Sequence, residues 1–214
     1  MDRIEIICSY LDYCKSFADV GCDHGYCAER MLKSGKCETA VVTDVSAKCL
    51  SKAEALLSDY IGRGVCRAVC CDGLSGVDED IGQVLIAGMG GEEIIRILSL
   101  GFIPRKFVLQ PMSNLPKVRR FLIDSGCKIT ADNIFKTDKF YFIIKGESSG
   151  KESYTESELF FGRDSVKNPV LREWACAELD KRECYLAACE RAGADEVRCR
   201  KLLNEAALLK EVLK

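Results

Sequence analysis

The feature that most constrains this chain is an alternation that breaks once. Apolar runs at 17–20, 40–44, 65–71, 83–88 and 106–111 read as strands. Helical spacing is predicted over 2–14, after Gly25, and over 47–60, 92–98 and 115–125. These strands are apolar on both faces, as in a parallel sheet covered by helices. Then 127–136 and 139–147 follow each other as strands, joined by Thr137 and Asp138 with no room for a helix, so they pair as an antiparallel hairpin.

After this hairpin the apolar pattern stops over 147–157, a polar stretch with Gly and Ser that predicts a boundary. A helix is predicted over 169–192, ended by Gly193. A second, capped by Asp195, runs to Val212, and the two form an antiparallel helical hairpin. The expected domains are therefore 1–150 and 151–214. The fold class is α/β: the Rossmann-like sheet of class I methyltransferases, with parallel strands and a terminal antiparallel hairpin, followed by a C-terminal helical hairpin. A dinucleotide dehydrogenase would keep its helical crossovers, and no G-x-G-x-x-G occurs.

Ligands of open parallel sheets bind at the carboxyl ends of the strands, where chain order reverses. Four loops fall there. In the first, "ADVGCDHGY" (18–26), Asp19, Gly21 and Gly25 match the methyltransferase pattern acid-x-G-x-G-x-G, with Asp23 replacing the middle glycine and His24 beside it. Small residues allow close backbone approach, and the helix N-terminus that follows favours a carboxylate such as that of S-adenosylmethionine (SAM). The second loop carries Asp44 and Val45, where an acid accepts from two ribose hydroxyls. The third carries Asp72, Gly73 and Leu74, an acid for the adenine amino group and an apolar cover for the ring. The fourth, Ala87, Gly88, Met89, Gly90 and Gly91, opens the backbone at the methyl-transfer point. Each acid alone also suits a helix cap or a turn.

Net charge is −2, but residues 101–146 carry nine basic and three acidic side chains, a local excess that suits a polyanion-facing surface or a solvated one. Fourteen cysteines occur with no C-x-x-C pair and a single histidine, so no metal site is expected and reduced, packed cysteines are. No apolar run is long enough to span a bilayer and the N-terminus does not read as a signal peptide. A cytoplasmic monomer that does not engage membrane is expected.

These motifs together resemble the bacterial tRNA adenine-22 N1-methyltransferases, over nearly the whole chain. "ADVGCDHGY" is similar to that family's ADIGSDHAYLP, "CDGL" to its GDGL, and "AGMGG" and "LQP" (109–111) to its fourth and fifth strand ends. "KFYFIIKGE" and the helical appendage also fit. Cys27-Ala28, Ala47-Lys48 and Cys71 depart from the family's Leu-Pro, Gly-Pro and Gly, which bears on loop shape. The resemblance implies SAM-dependent methylation of N1 of an adenosine in the tRNA D-arm. Asp23 is then a candidate acceptor at the base edge, or a shaper of the SAM loop. Tyr26 is a candidate to stack on a base or pack beside the cofactor, and His24 to make a structural hydrogen bond. Gly90, Gly91 and Gln110 fall on the substrate side. Arg105, Lys106, Lys117, Arg119 and Arg120, with Arg191, Arg198, Arg200 and Lys201 of the appendage, are candidates for tRNA phosphates. A class I methyltransferase acting on a small metabolite or a protein, and a non-catalytic SAM- or RNA-binding module, remain open alternatives.

Overall fold

The computed structural model describes residues 1–192 and 196–214, without the side chains of 190, 192, 196 and 198. The expected end of one helix at Gly193 and the cap at Asp195 fall outside the described residues. The strands are β1 (Cys14–Val20), β2 (Cys37–Asp44), β3 (Cys66–Cys70), β4 (Gln83–Met89), β5 (Lys106–Pro111), β6 (Lys128–Lys136) and β7 (Phe140–Glu147). They form one sheet in the order β3-β2-β1-β4-β5-β7-β6, and only β7 runs antiparallel to its two neighbours. Chain order reverses between β1 and β4, so the crevice for a ligand lies at the carboxyl ends of those strands.

Helices cover both faces. On one side α1 (Arg3–Tyr10), α2 (Tyr26–Lys33) and α3 (Ala47–Leu56) bury Ile7, Met31, Leu50 and Ala53 against Phe17, Val42 and Leu85. On the other, α5 (Gly91–Leu100) and α6 (Leu115–Asp124) bury Ile94, Ile97, Val118 and Leu122 against Ile86, Phe107 and Leu109. The first helix is shorter than its apolar spacing predicts. Lys36 Nζ donates to the carbonyls of Cys8 (3.2 Å) and Leu11 (2.9 Å), satisfying the end of α1, and Cys14 is drawn into the sheet opposite Cys37. The helix predicted over 47–60 breaks at the fully buried Leu57, and α4 (Ser58–Gly62) follows as a separate short helix.

The boundary expected near 150 is not where the packing ends. Thr155 and Glu158 form a capping box that starts α7 (Glu156–Phe161), and α7 packs on α6. Tyr154, Leu159, Phe161 and Ser165 are buried. The long helices α8 (Pro169–Ala192) and α9 (Glu196–Leu213) lie side by side, and Leu171, Ala175 and Leu209 close over Ile134, Phe142 and Phe161 of the outer hairpin and α7.

Candidate active site

The first loop turns through Gly21, Asp23 and Gly25, all left-handed (φ 69°, 46° and 75°). The glycine pattern reflects that backbone, and aspartate is among the few side chains that adopt it. The Asp23 N–H donates to Asp44 Oδ2 (3.2 Å), and its carboxylate accepts from Lys52 Nζ on α3 (3.2 Å) with His24 Nε2 at 3.6 Å. Slight burial opposes the Asp23 charge, but the Lys52 hydrogen bond and the nearby His24 and Lys52 hold its carboxyl below the usual range. Asp23 is thus committed to the loop and to α3. Tyr26 opens α2 half-exposed, its ring stacked on His24 with centroids 5.2 Å apart.

At the next strand end Asp44 also accepts from the Ser46 N–H at 2.8 Å. At the third, Arg96 of α5 grips Asp72 with two hydrogen bonds (2.6 and 3.0 Å) and is itself held by Glu93 (2.8 and 3.0 Å). The Arg96 hydrogen bonds keep the Asp72 carboxyl below the usual range. Gly21, Asp44, Val45, Asp72, Gly73 and Met89 line one cleft at the switch point. Each bound carboxylate oxygen retains acceptor capacity toward it. The Met89 side chain lies across Gly21 and is flexible enough to yield. Acceptors at the second and third strand ends, with the glycine turn after β1 beside them, fit the ribose hydroxyls, adenine amino group and methionine portion of SAM.

Several predicted contacts are redirected by packing. Asp19 is buried beneath the loop at the start of α2, where the Ala28 N–H faces it, and burial pushes its carboxyl up to about 7. It supports the loop and does not line the cleft. Leu74 is a core residue under Gly101 and covers nothing in the cleft. Gly91 is buried with the Ser113 carbonyl 2.4 Å from where a Cβ would stand, so it packs against backbone and is not open to a substrate. Gln110 is fully buried, accepting from Arg3 Nη2 at 2.6 Å. Arg119 is fully buried in an ion pair with Asp132 and cannot reach a phosphate. Arg105 and Lys106 precede or begin β5, at the end opposite the cleft, roughly 17 Å away along the strand; Lys106 pairs there with Asp12.

The fourth loop joins the cleft to a second concavity. Met112 N–H donates to the Met89 carbonyl (2.8 Å) and Gly91 N–H to that of Ser113 (3.1 Å). Beyond Met112 and Ser113 opens a groove of about 1050 Å³ between the start of α6, the β6–β7 turn and the α8–α9 pair. Seven basic and four acidic side chains line it, so its charge is positive; Lys117, Lys139, Arg200 and Lys201 are among the cations, and Phe140 and Trp174 supply aromatic faces. Lys117 pairs with Glu92, and Arg120 pairs with Glu156 on the outer side of α6. The side chain of Arg198 lies outside the described residues.

Sequence reasoning missed Arg3, Lys52 and Arg96. Arg3 reaches from α1 over the Tyr141 ring (5.1 Å) and against Gly88, which takes a left-handed φ of 79°. No local pattern marks Arg3 or Lys52; Arg96 had only its three-residue spacing from Glu93 as a signal. Among the described residues no cluster of three or more His, Cys, Asp or Glu is arranged to hold a metal ion, and no helix is long and apolar enough to cross a membrane.

A switch-point cleft with acids ending β2 and β3, in a parallel sheet closed by an antiparallel hairpin, defines a class I methyltransferase. The family profile described as "Methyltransferase domain" matches residues 1–144. A Mycoplasma pneumoniae protein provisionally named a tRNA methyltransferase is 32% identical over 153 residues, covering 69% of this chain and 71% of that one. The crystal structure of Streptococcus pneumoniae Sp1610, provisionally assigned as a tRNA (m1A22) methyltransferase, superposes with a TM-score of 0.88 at 25% identity, over 100% of this chain and 99% of that one. Its complex with S-adenosyl-L-methionine superposes with a TM-score of 0.86 at 26% identity, over 99% and 98%. The chain belongs to the methyltransferase-domain family, and its relatives and structural neighbours include proteins provisionally named as tRNA methyltransferases.

Proposed function

We propose that this chain transfers the methyl group of SAM to N1 of adenosine 22 in the tRNA D-arm. The observation that carries this reading is the continuity of the two concavities. The cleft that suits a nucleoside-bearing donor and the positively charged groove meet at one piece of backbone, Met89–Gly91 against Met112–Ser113. A methyl group leaving the cleft there arrives at the edge of the groove.

SAM supplies an electrophilic methyl on a sulfonium, in line with the attacking N1 lone pair. Asp44 and Asp72 accept hydrogen bonds from the ribose and the adenine amino group, and Gly21 lets the backbone approach the donor. N1 is unprotonated at neutral pH, so no strong base is needed. What the protein contributes is alignment. Gly90 leaves the backbone open to the target base, and the stacked His24–Tyr26 pair offers an aromatic face at the loop. Lys117, Lys139, Arg200 and Lys201 contact phosphate and fix register. Asp23 shapes the loop. A cytoplasmic monomer acting on tRNA goes with this reading.

The experiment is mass spectrometry of unmodified tRNA incubated with the purified protein and SAM. One-methyladenosine should form at position 22, and none should form on a transcript with guanosine there. Absence of the modified nucleoside, with SAM shown to bind, would leave a methyltransferase with another substrate.

A further inference from the structure

Arg96 spends four hydrogen bonds on two carboxylates and faces the cleft's third loop. Its fork takes both oxygens of Asp72 (Nη2 to Oδ1 2.6 Å, Nη1 to Oδ2 3.0 Å). Nε and Nη2 are in turn fixed by Glu93, one turn earlier on α5 (3.0 and 2.8 Å). The backbone of Asp72 is held separately, its carbonyl accepting from the Ser75 N–H (3.2 Å) and hydroxyl (2.9 Å). The loop also rests on α5, with Ile97 in close contact at Gly73. Yet the Asp72 side chain is 57% exposed, and an aspartate so exposed would sample several rotamers without a partner.

We propose that Arg96 is a positioning residue for cofactor recognition, holding the Asp72 carboxylate in one plane so that its remaining lone pairs meet the exocyclic amino group of the cofactor's adenine. A fork occupies one acceptor direction on each oxygen and leaves the other free. The orientation is therefore set before the nucleoside arrives, and the ordering cost is not met during binding. Glu93 extends the chain: it keeps the guanidinium over the loop when Asp72 is engaged from the other side. The proposal rests on the reading that the cleft binds SAM.

The test is calorimetry on the full chain with S-adenosylhomocysteine and with its hypoxanthine counterpart, in which a carbonyl replaces the amino group. The wild type should prefer the adenine form. Arg96→Met should weaken that form about tenfold and the hypoxanthine form little, so that discrimination collapses. Glu93→Gln should fall between, and Arg96→Lys should recover only part of the loss because it lacks the fork. In turnover, the loss should appear in KM for SAM and not in kcat. Asp72→Asn combined with Arg96→Met should be no worse than Asp72→Asn alone. Arg96→Met that retains both affinity and discrimination, or additive losses in the double variant, would overturn the proposal. If the wild type binds neither compound, the SAM reading fails as well; if it binds both equally, only the adenine-recognition role fails.

Discussion

Arg119 and Asp132 form an ion pair that is sealed from solvent, 0% and 1% exposed, with Nε 2.9 Å from Oδ2 and Nη2 2.9 Å from Oδ1. The pair ties α6 to β6, and Nη1 donates to the carbonyls of Leu159 (2.7 Å) and Phe160 (3.2 Å) at the end of α7. Asp132 is anchored in turn through its backbone, its N–H donating to Asp164 Oδ2 at 2.9 Å. Removing one charge strands the other in the core, which costs about 3–5 kcal/mol. Asp132→Ala should therefore lower the urea midpoint sharply, while Arg120→Ala, at an exposed pair one residue away, should cost under about 1 kcal/mol.

The same contacts set where the chain can be cut. A protein ending at Gly150 lacks the carbonyl partners of Arg119 and the side chains of Tyr154, Leu159 and Phe161. It should not reach a cooperative fold, as followed by thermal melts. A sharp transition with wild-type Tm in that truncation would contradict the integration of α7 into the core.

Asp19 gives a pH signature. Burial raises its folded-state carboxyl from 3.8 to about 7, so between those values the folded protein keeps a proton that the unfolded chain releases. Its contribution is full below pH about 4 and is lost as pH rises through 7, at about 1.4 kcal/mol per unit. Asp19→Asn removes the titration. The difference in unfolding free energy between variant and wild type, measured at pH 5 and pH 8, should grow in the variant's favour at pH 8. A pH-independent difference would count against the buried, protonated carboxyl.

Asp23 stands in left-handed backbone, so its two roles separate by substitution. Asp23→Gly keeps the backbone and loses the Lys52 link. Asp23→Ala loses the link and adds left-handed strain of about 1 kcal/mol. As a loop shaper, Asp23→Gly should retain more SAM affinity and more rate than Asp23→Ala. Equal loss of kcat in both, with SAM binding intact, would instead assign the carboxylate to the base.

Salt dependence sorts the basic residues. Lys139→Ala and Arg200→Ala in the groove should each lower the slope of log affinity for tRNA against log salt by about 0.7–0.9. Arg105→Ala, at the far end of β5, should leave that slope unchanged. A gel-shift series in increasing salt distinguishes the two sets.

Much of the sheet was legible because its strands are apolar on both faces and each is followed by a recognisable helix or turn. Six of the cleft residues, Gly21, Asp44, Val45, Asp72, Gly73 and Met89, were legible for the same reason: they end or follow strands, and strand ends converge. What was not legible depends on side-chain direction. Arg119 and Arg120 are adjacent in sequence and equally basic, but one turns into the core and the other into solvent, and only the presence of Asp132 and the α7 carbonyls decides which. Arg105 and Lys106 stand at the start of a correctly identified strand, the end away from the cleft, so their charge does not reach its rim. Arg3 and Gln110 are 107 residues apart, and no local period connects them. The helix α7 was hidden because its six residues are too few to show a period beside a polar run.

The hydrogen bonds from Met112 to Met89 and from Gly91 to Ser113 put one wall between the cleft and the groove, so that on the proposed reading it serves two ligands. In linkage terms, a donor molecule that shifts this wall changes the affinity of the groove for RNA, and RNA must change the affinity for the donor by the same factor. On the proposed reading, transfer takes place beside this wall, and the spent donor differs from the fresh one by a methyl group and a positive charge. A wall that moves between the two donor states would therefore show itself as a difference in RNA affinity with the fresh and the spent donor, and release of the modified RNA would then be tied to the chemistry.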